Sequence, residues 1–410
     1  MTDASSLYNA GWSYGKEQLG HNKPPDTSKG SFYYNPVTDT PGTEQDRIRY
    51  PYSYPCNIWP PSNQVNDDLL PDFQKNAKQM GLLLKDVAIE IAKHLDVYVQ
   101  NQLLQLLHRQ QPEQPEPLLP PHNIGTTPPP PPTKGSMPQC SIQSIYHHLK
   151  DTDKVKARLL YYYPLSLNQK IQSHSNNTDN KAMTTTTTTT TSDDINVLDE
   201  KEDSWIGWHN DSGFLTALAG DIYVNHMTGE RISSMQEIDP YSGLYVMDRS
   251  TTTGNNVTPS DRVLKVCIPY DCCAIQIGEC VQIMTGGTLC ATPHCVRGCN
   301  SSTSNSKSND IARISLPCFI DTHPSFPLVP PIGISRQQVL NADQFSHNKV
   351  PPLALRWNPT TTVSCNFHDS EGDDATKTMR PMSFGEFLQE TFRMYYGWGS
   401  VVSPDSQEDI

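Results

Sequence analysis

The sequence predicts a mainly β fold, a sandwich or barrel with a long helix before it and a shorter one behind it. Three observations lead there. From Trp205 to about Ile320, short runs rich in β-branched and aromatic residues follow one another, separated by turn residues such as Gly286-Gly287, with no helices expected between them. Ahead of them Phe73, Ala77, Met80, Leu84, Val87, Ile91, Leu95 and Tyr98 recur every three or four residues, drawing one apolar stripe along a helix over 71–109. Behind them Ser383-Phe384-Gly385-Glu386 has the form of a capping box, with Phe387, Thr391, Met394 and Tyr395 following at helical spacing.

Residues 1–68, rich in Tyr, Pro, Asn and Gly, read as irregular packed chain with short turns. After the long helix, a Pro-rich insert over 111–138 excludes helix and central strand and reads as a polyproline linker. A short helix near 140–150 precedes a strand over Lys156-Ala157-Arg158-Leu159-Leu160-Tyr161-Tyr162-Tyr163-Pro164. The segment 171–203, with its run of threonines, is expected to be a disordered insert. Strands are then expected at 205–209, 214–218, 244–248, 263–268, 274–277, 281–284, 288–296 and 311–320, interrupted by polar stretches at 249–262 and 300–310. This gives an N-terminal helical and irregular region (1–170), the insert, a β domain (204–335) and a C-terminal extension (336–410) whose helix packs on the core.

Composition removes several classes of function. The formal net charge is −13 and there is no basic cluster, so the footprint that nucleic acid or an anionic membrane surface requires is missing. No run reaches the roughly 18 apolar residues of a membrane span. The first residues carry neither a basic start nor an apolar core of a signal peptide, so a cytoplasmic location is expected. The 11 cysteines are odd in number, contain no Cys-x-x-Cys and sit largely in β-rich runs, which fits reduced thiols better than disulfides or zinc. Asn210 lies in a glycosylation sequon, but a sugar there would separate two candidate metal ligands.

Chemistry concentrates in three places. His209-Asn210-Asp211 ends a β run, where residues i and i+2 face the same side. His94-Leu95-Asp96 has the same spelling but lies in the long helix, where i and i+2 diverge by about 200° and cannot share one ion. His294 follows the run 288–293 and supplies a second imidazole, although a lone histidine is more often structural. Two imidazoles and one carboxylate form the facial set that holds a non-haem iron(II) with positions left open. Arg313 and Ser315 again share a strand face, and a hairpin joining 288–296 to 311–320 would set Arg313 opposite His294. A guanidinium fork with a neighbouring hydroxyl suits a carboxylate. Gly-x-Ser-x-Gly, His-Glu-x-x-His and a Gly-rich phosphate loop are all absent.

With these residues in view, the chain resembles the isopenicillin N synthase-like family of iron(II)- and 2-oxoglutarate-dependent dioxygenases, closest to a poorly characterised plant and algal branch. The likeness rests on Gly207-Trp208-His209-Asn210-Asp211-Ser212-Gly213-Phe214-Leu215-Thr216, on the stretch from Gly286 to Arg297 containing Thr292-Pro293-His294, and on Arg313-Ile314-Ser315. The strand ending Tyr161-Tyr162-Tyr163-Pro164 is similar to the family's Asn-Tyr-Tyr-Pro, with Tyr161 in place of the Asn. The resemblance implies a double-stranded β-helix (jelly roll) with flanking helices. It implies Fe(II) on His209, Asp211 and His294, and 2-oxoglutarate on Arg313, Ser315 and Tyr163. With O2 as the other co-substrate, a small organic substrate would be oxidised with release of succinate and CO2. Two alternatives stay open: an iron oxidase of the same fold that uses no 2-oxoglutarate, and an inactive barrel acting as a binding or scaffold module.

Overall fold

The computed structural model describes residues 6–16, 25–62, 68–110, 143–165, 204–233, 238–247, 263–269, 271–299, 310–342, 350–358, 360–362 and 378–396. The expectations for the Pro-rich insert 111–138, the Thr-rich insert 171–203, the polar stretch 249–262 and nearly all of 300–310 lie outside these described residues. Among the described residues no helix is long and apolar enough to cross a membrane, and every described cysteine is a free thiol.

The N-terminal region is more ordered than expected. β1 (Gly11–Tyr14) and β2 (Lys29–Tyr34) pair antiparallel, with Trp12 opposite Phe32. The aromatic run Phe32-Tyr33-Tyr34, expected as irregular chain, is strand, as its β propensity favours. Gly30 must lack a side chain because the Trp12 ring occupies the place of its Cβ. α1 (Glu44–Arg49) opens on a capping box between Thr43 and Asp46.

The long helix, α2 (Phe73–Gln110), forms where its periodicity demands. Its buried face is rotated from the expected stripe. Leu84 is buried, but the other buried positions among the described residues are Gly81, Ala88, Ala92, Val99 and Leu103, while Ile91 and Tyr98 are exposed. Small alanines carry little hydrophobic weight in a sequence pattern, yet they let a helix approach a neighbouring layer closely. Asp96 accepts from the Ser144 hydroxyl and from the Ile145 and Tyr146 amides, at 2.6–3.1 Å, and so caps α3 (Ile145–Leu149) from outside. The second His-x-Asp of the chain is thus a helix cap, with His94 exposed beside it.

The β elements follow as β3 (Val155–Tyr162), β4 (Ser204–His209), β5 (Leu215–Ala219), β6 (Ile222–Asn225), β7 (Gly243–Met247), β8 (Val263–Val266) and β9 (Cys273–Ile277). After α4 (Glu279–Met284) come β10 (His294–Arg297), β11 (Ile311–Ser315) and β12 (Pro317–Ile320). The C-terminal part holds α5 (Arg336–Asn341), α6 (Leu353–Arg356), the short pair β13 (Thr360–Thr362) and β14 (Thr378–Arg380), and α7 (Phe384–Tyr396). The expected strand at 281–284 is a helix, all six of whose residues are buried. Burial on every side explains why Val281 and Ile283 give no helical period. The expected single strand 311–320 is divided at Leu316, and 288–293 is not strand.

The molecule is mainly β, with helices around two sheets. The larger sheet has 8 strands running β1-β2-β3-β12-β5-β9, with β11 joining β3 to β6; the smaller has 4, in the order β4-β10-β7-β8. β3 spans the break between β11 and β12, pairing Tyr162 with Arg313 and Ala157 with Cys318. Alternation along β3 sets the layers. Val155, Ala157 and Leu159 enter the main core, which α2 and α7 cover from the other side. Leu160 and Tyr162 enter a second core shared with Trp205, Leu244 and Val296 of the smaller sheet. α7 seals the main core with Phe384 and Phe387, both fully buried, and the Phe384 ring lies 5.1 Å from that of Phe214. The expected Ser383–Glu386 capping box forms: the Ser383 amide donates to Glu386 Oε2 at 2.7 Å, and the Glu386 amide to Ser383 Oγ at 3.3 Å.

Candidate metal and carboxylate site

A cavity of about 80 Å³ lies between the sheets, walled by β3, β5, β11 and β12 on one side and β4, β7 and β10 on the other. His209, Asp211 and His294 line it together. One ligand-type atom from each lies within 4.8 Å of the other two, and the imidazole centroids are 4.1 Å apart.

Local backbone features make this convergence. His294 pairs with His209, and Val296 pairs with Ile206, so three steps along β4 match two along β10. The extra residue is a β-bulge, which turns His209 into the cavity together with Ile206. Asp211 lies beyond the end of β4, so strand alternation does not aim it. It is fixed by Thr216, whose hydroxyl donates to Oδ2 at 2.6 Å, and by the Glu279 amide, which donates to its carbonyl at 2.8 Å. His209 Nδ1 is 2.8 Å from the Gly207 carbonyl. A ring N–H must face that oxygen, which leaves the lone pair on Nε2. His294 Nδ1 faces the Thr292 carbonyl at 3.2 Å, and its Nε2 is 3.9 Å from Asp211 Oδ1. The Gln276 amide lies against this ring, 3.0 Å from Nε2.

Burial controls the charge here. Desolvation, helped for His209 by the neighbouring His294, pushes both imidazoles down to about 4, so they are neutral at physiological pH. Burial also raises the Asp211 carboxyl above its ordinary range. Two neutral imidazoles and a carboxyl that resists ionising are a donor set lacking a counter-charge; a divalent cation would reverse the Asp211 shift and suit both rings. The set therefore fits a metal of the iron type, held from one face.

Arg313 and Ser315 line the same cavity, both from β11. They do not reach it through a hairpin with β10: that strand belongs to the smaller sheet, and β11 pairs with β3 and β6 in the larger one. The two histidines and the Arg313–Ser315 pair therefore come to the cavity from different sheets. The Arg313 guanidinium is buried over the Tyr162 ring at 4.9 Å, and its Nη2 donates to Asp221 at 2.6 Å. Its Nε and Nη1 are buried and have no hydrogen-bond partner among the described residues. Unsatisfied cationic donors are costly, and a carboxylate is the group that relieves them.

Tyr163, expected beside Arg313, is on the opposite face. It packs against Tyr14, Tyr161 and His226, with ring centroids 5.0–5.6 Å away. Period two decides this, since Tyr162 is the residue paired with Arg313 and only its neighbours at even positions, Leu160 and Arg158, share its face. Sequence reasoning also misses Asp221 and Gln276. Asp221 lies in the break between β5 and β6, and the apolar pattern gives no sign of a second strand there.

No family model matches the chain, and no curated protein matches it. Among solved structures, the chain is similar to a full-length Neurospora crassa protein in complex with alpha-KG, at 15% identity and a TM-score of 0.43 over 82% of this chain and 69% of that one. It is also similar to a putative 2OG-Fe(II) oxygenase family protein from Caulobacter crescentus, at 14% identity and a TM-score of 0.41 over 94% and 76%. A putative oxygenase from Shewanella oneidensis has 16% identity and a TM-score of 0.35 over 80% and 72%.

Proposed function

We propose that this chain is an iron(II)- and 2-oxoglutarate-dependent oxygenase acting on a small organic substrate, with release of succinate and CO2. The observation that carries the proposal is one cavity holding both the His209–Asp211–His294 cluster and a buried arginine with two nitrogens that have no partner among the described residues. The two facing sheets are read as a double-stranded β-helix of the isopenicillin N synthase-like kind, with 204–335 as the oxygenase domain, β3 completing its larger sheet, and 1–170 and 336–410 flanking it. Location in the cytoplasm belongs to the same reading.

Iron(II), when bound, supplies the activation of O2 that a protein side chain cannot. His209 and His294 would donate Nε2 and Asp211 its carboxylate, and burial keeps the imidazoles unprotonated for that purpose. Thr216 and the Glu279 amide hold Asp211 so that its free oxygen faces the histidines. Arg313 and Ser315 would take the distal carboxylate of the oxoacid. Ile206, Leu244 and Val296 line the cavity from the smaller sheet and exclude water from the reacting groups.

Iron(II) titration of the metal-free protein under argon tests the reading. Wild type should bind with a defined endpoint and Asp211→Ala should not; equal binding by the two would remove the metal centre and the proposal with it. Succinate formed in step with substrate oxidation separates this function from an oxidase that spares 2-oxoglutarate.

A further inference from the structure

Asp221 stands inside the cavity that the oxygenase reading assigns to the oxoacid, on the very guanidinium that would hold its distal carboxylate. Its position comes from an irregularity in the chain. On β5 Thr216 and Leu218 line the cavity at even positions, and Ala219, at the end of the strand, already lines it at an odd one. On β6 Tyr223 pairs with Arg313 and shares its side, at an odd position. The change of parity falls at Leu218-Ala219, and it turns Asp221 inward, two residues before Tyr223 and diagonal to Arg313. The result is a 2.6 Å ion pair between Arg313 Nη2 and Asp221 Oδ1, with side-chain exposures of 5% and 23%.

We infer that Asp221 is a specificity-determining residue, which competes with the distal carboxylate of the co-substrate for Arg313. The inference rests on the oxygenase reading. Charge is the reason. With Asp221 in place the guanidinium is already neutralised, so an arriving dicarboxylate brings a second negative charge to one cation in a poorly solvated cavity. Nε and Nη1 remain as donors, which explains why binding is still possible. An oxoacid without a distal carboxylate meets no such repulsion. Asp221 therefore narrows the preference for 2-oxoglutarate over mono-acids of the same length. A carboxylate that only braced Arg313 would have the opposite effect when removed, because the fork would lose its alignment.

Calorimetric titration of Ni(II)-loaded protein, in which no turnover occurs, decides between the two. The ligands are 2-oxoglutarate and 2-oxopentanoate, the same chain ending in a methyl group. Asp221→Asn should bind 2-oxoglutarate on the order of tenfold tighter than wild type, the scale of one charge-assisted contact, with 2-oxopentanoate unchanged. Asp221→Ser should do the same, which guards against a new bond from the asparagine amide. Weaker or equal binding of 2-oxoglutarate by both variants, or a parallel change for both acids, overturns the inference while leaving the oxygenase reading intact. If wild type and variants hold Ni(II) but bind neither acid, the oxygenase reading fails and takes the inference with it.

Discussion

Lys156 illustrates how a single residue can work against the fold. Burial, reinforced by Lys154 and Arg158 and opposed by Asp321, lowers its ammonium from the ordinary 10.5 to about 7. Between those two values the unfolded chain retains a proton that the folded chain has released, so stability rises with pH across that window. Lys156→Met should raise the Tm at pH 7 and flatten the rise between pH 7 and 10. Thermal unfolding followed at several pH values checks this, and an unchanged slope would contradict it. At this scale the sequence is legible where chemistry and spacing coincide. The structure brings His209, Asp211 and His294 together, although not by the strand alternation that the spelling suggests, since Asp211 lies beyond β4 and a bulge sets His209; Asp96 of the helical His94–Asp96 pair is a cap, so the spelling alone selects no site. Tyr163 is expected beside Arg313 through the family resemblance, whereas in the Tyr162–Arg313 register the neighbouring Tyr163 lies on the other face, a fact that three consecutive tyrosines do not reveal.

Among the elements, the junction of α4 with the C-terminal extension has the largest energetic stake. Arg356 of α6 makes two hydrogen bonds of 2.5 Å to the Glu279 carboxylate, with side-chain exposures of 0% and 1%. It also donates to Thr391 of α7 at 3.3 Å and to the Pro351 carbonyl at 2.9 Å. Glu279 in turn accepts from Asn210 at 3.1 Å, while its own amide holds the Asp211 carbonyl. Breaking a buried pair from one side leaves an uncompensated charge, so Arg356→Met should cost about 3–5 kcal/mol in urea unfolding. The double variant Arg356→Met with Glu279→Leu should recover much of that loss. Its metal affinity should nevertheless stay below wild type, because Asn210 has lost its acceptor; full recovery of both would show the pair to be structural only. None of this is legible in the sequence. α4 has the apolar texture of a strand, α6 is a single turn too short to show a period, and ion pairs distant in sequence leave no periodic trace.

For the whole molecule, the decisive fact is that both histidines belong to the smaller sheet while Asp211 leads into β5 of the larger one. A bound cation would tie the two layers together. Metal should therefore raise the Tm of wild type with concentration, by roughly 2.7 kcal/mol of stabilisation at a hundredfold excess over Kd. Asp211→Ala should be unresponsive; scanning calorimetry with and without metal provides the measurement, and equal shifts would argue for adventitious binding. The β-rich character of the region after Trp205 is legible, because short apolar runs between turns leave few other options. How those runs divide between two sheets is not. A hairpin joining His294 to Arg313 is a sound local inference, but pairing partners are set by global layering, which local alternation does not encode.

The Glu279–Arg356 pair also has a meaning in time. A ribosome delivers Glu279 long before it delivers Arg356, so during synthesis the carboxylate waits without its counter-charge. The buried pair is therefore closed only when the late part of the chain has emerged, and a chain ending ahead of Arg356 would keep Glu279 buried without it.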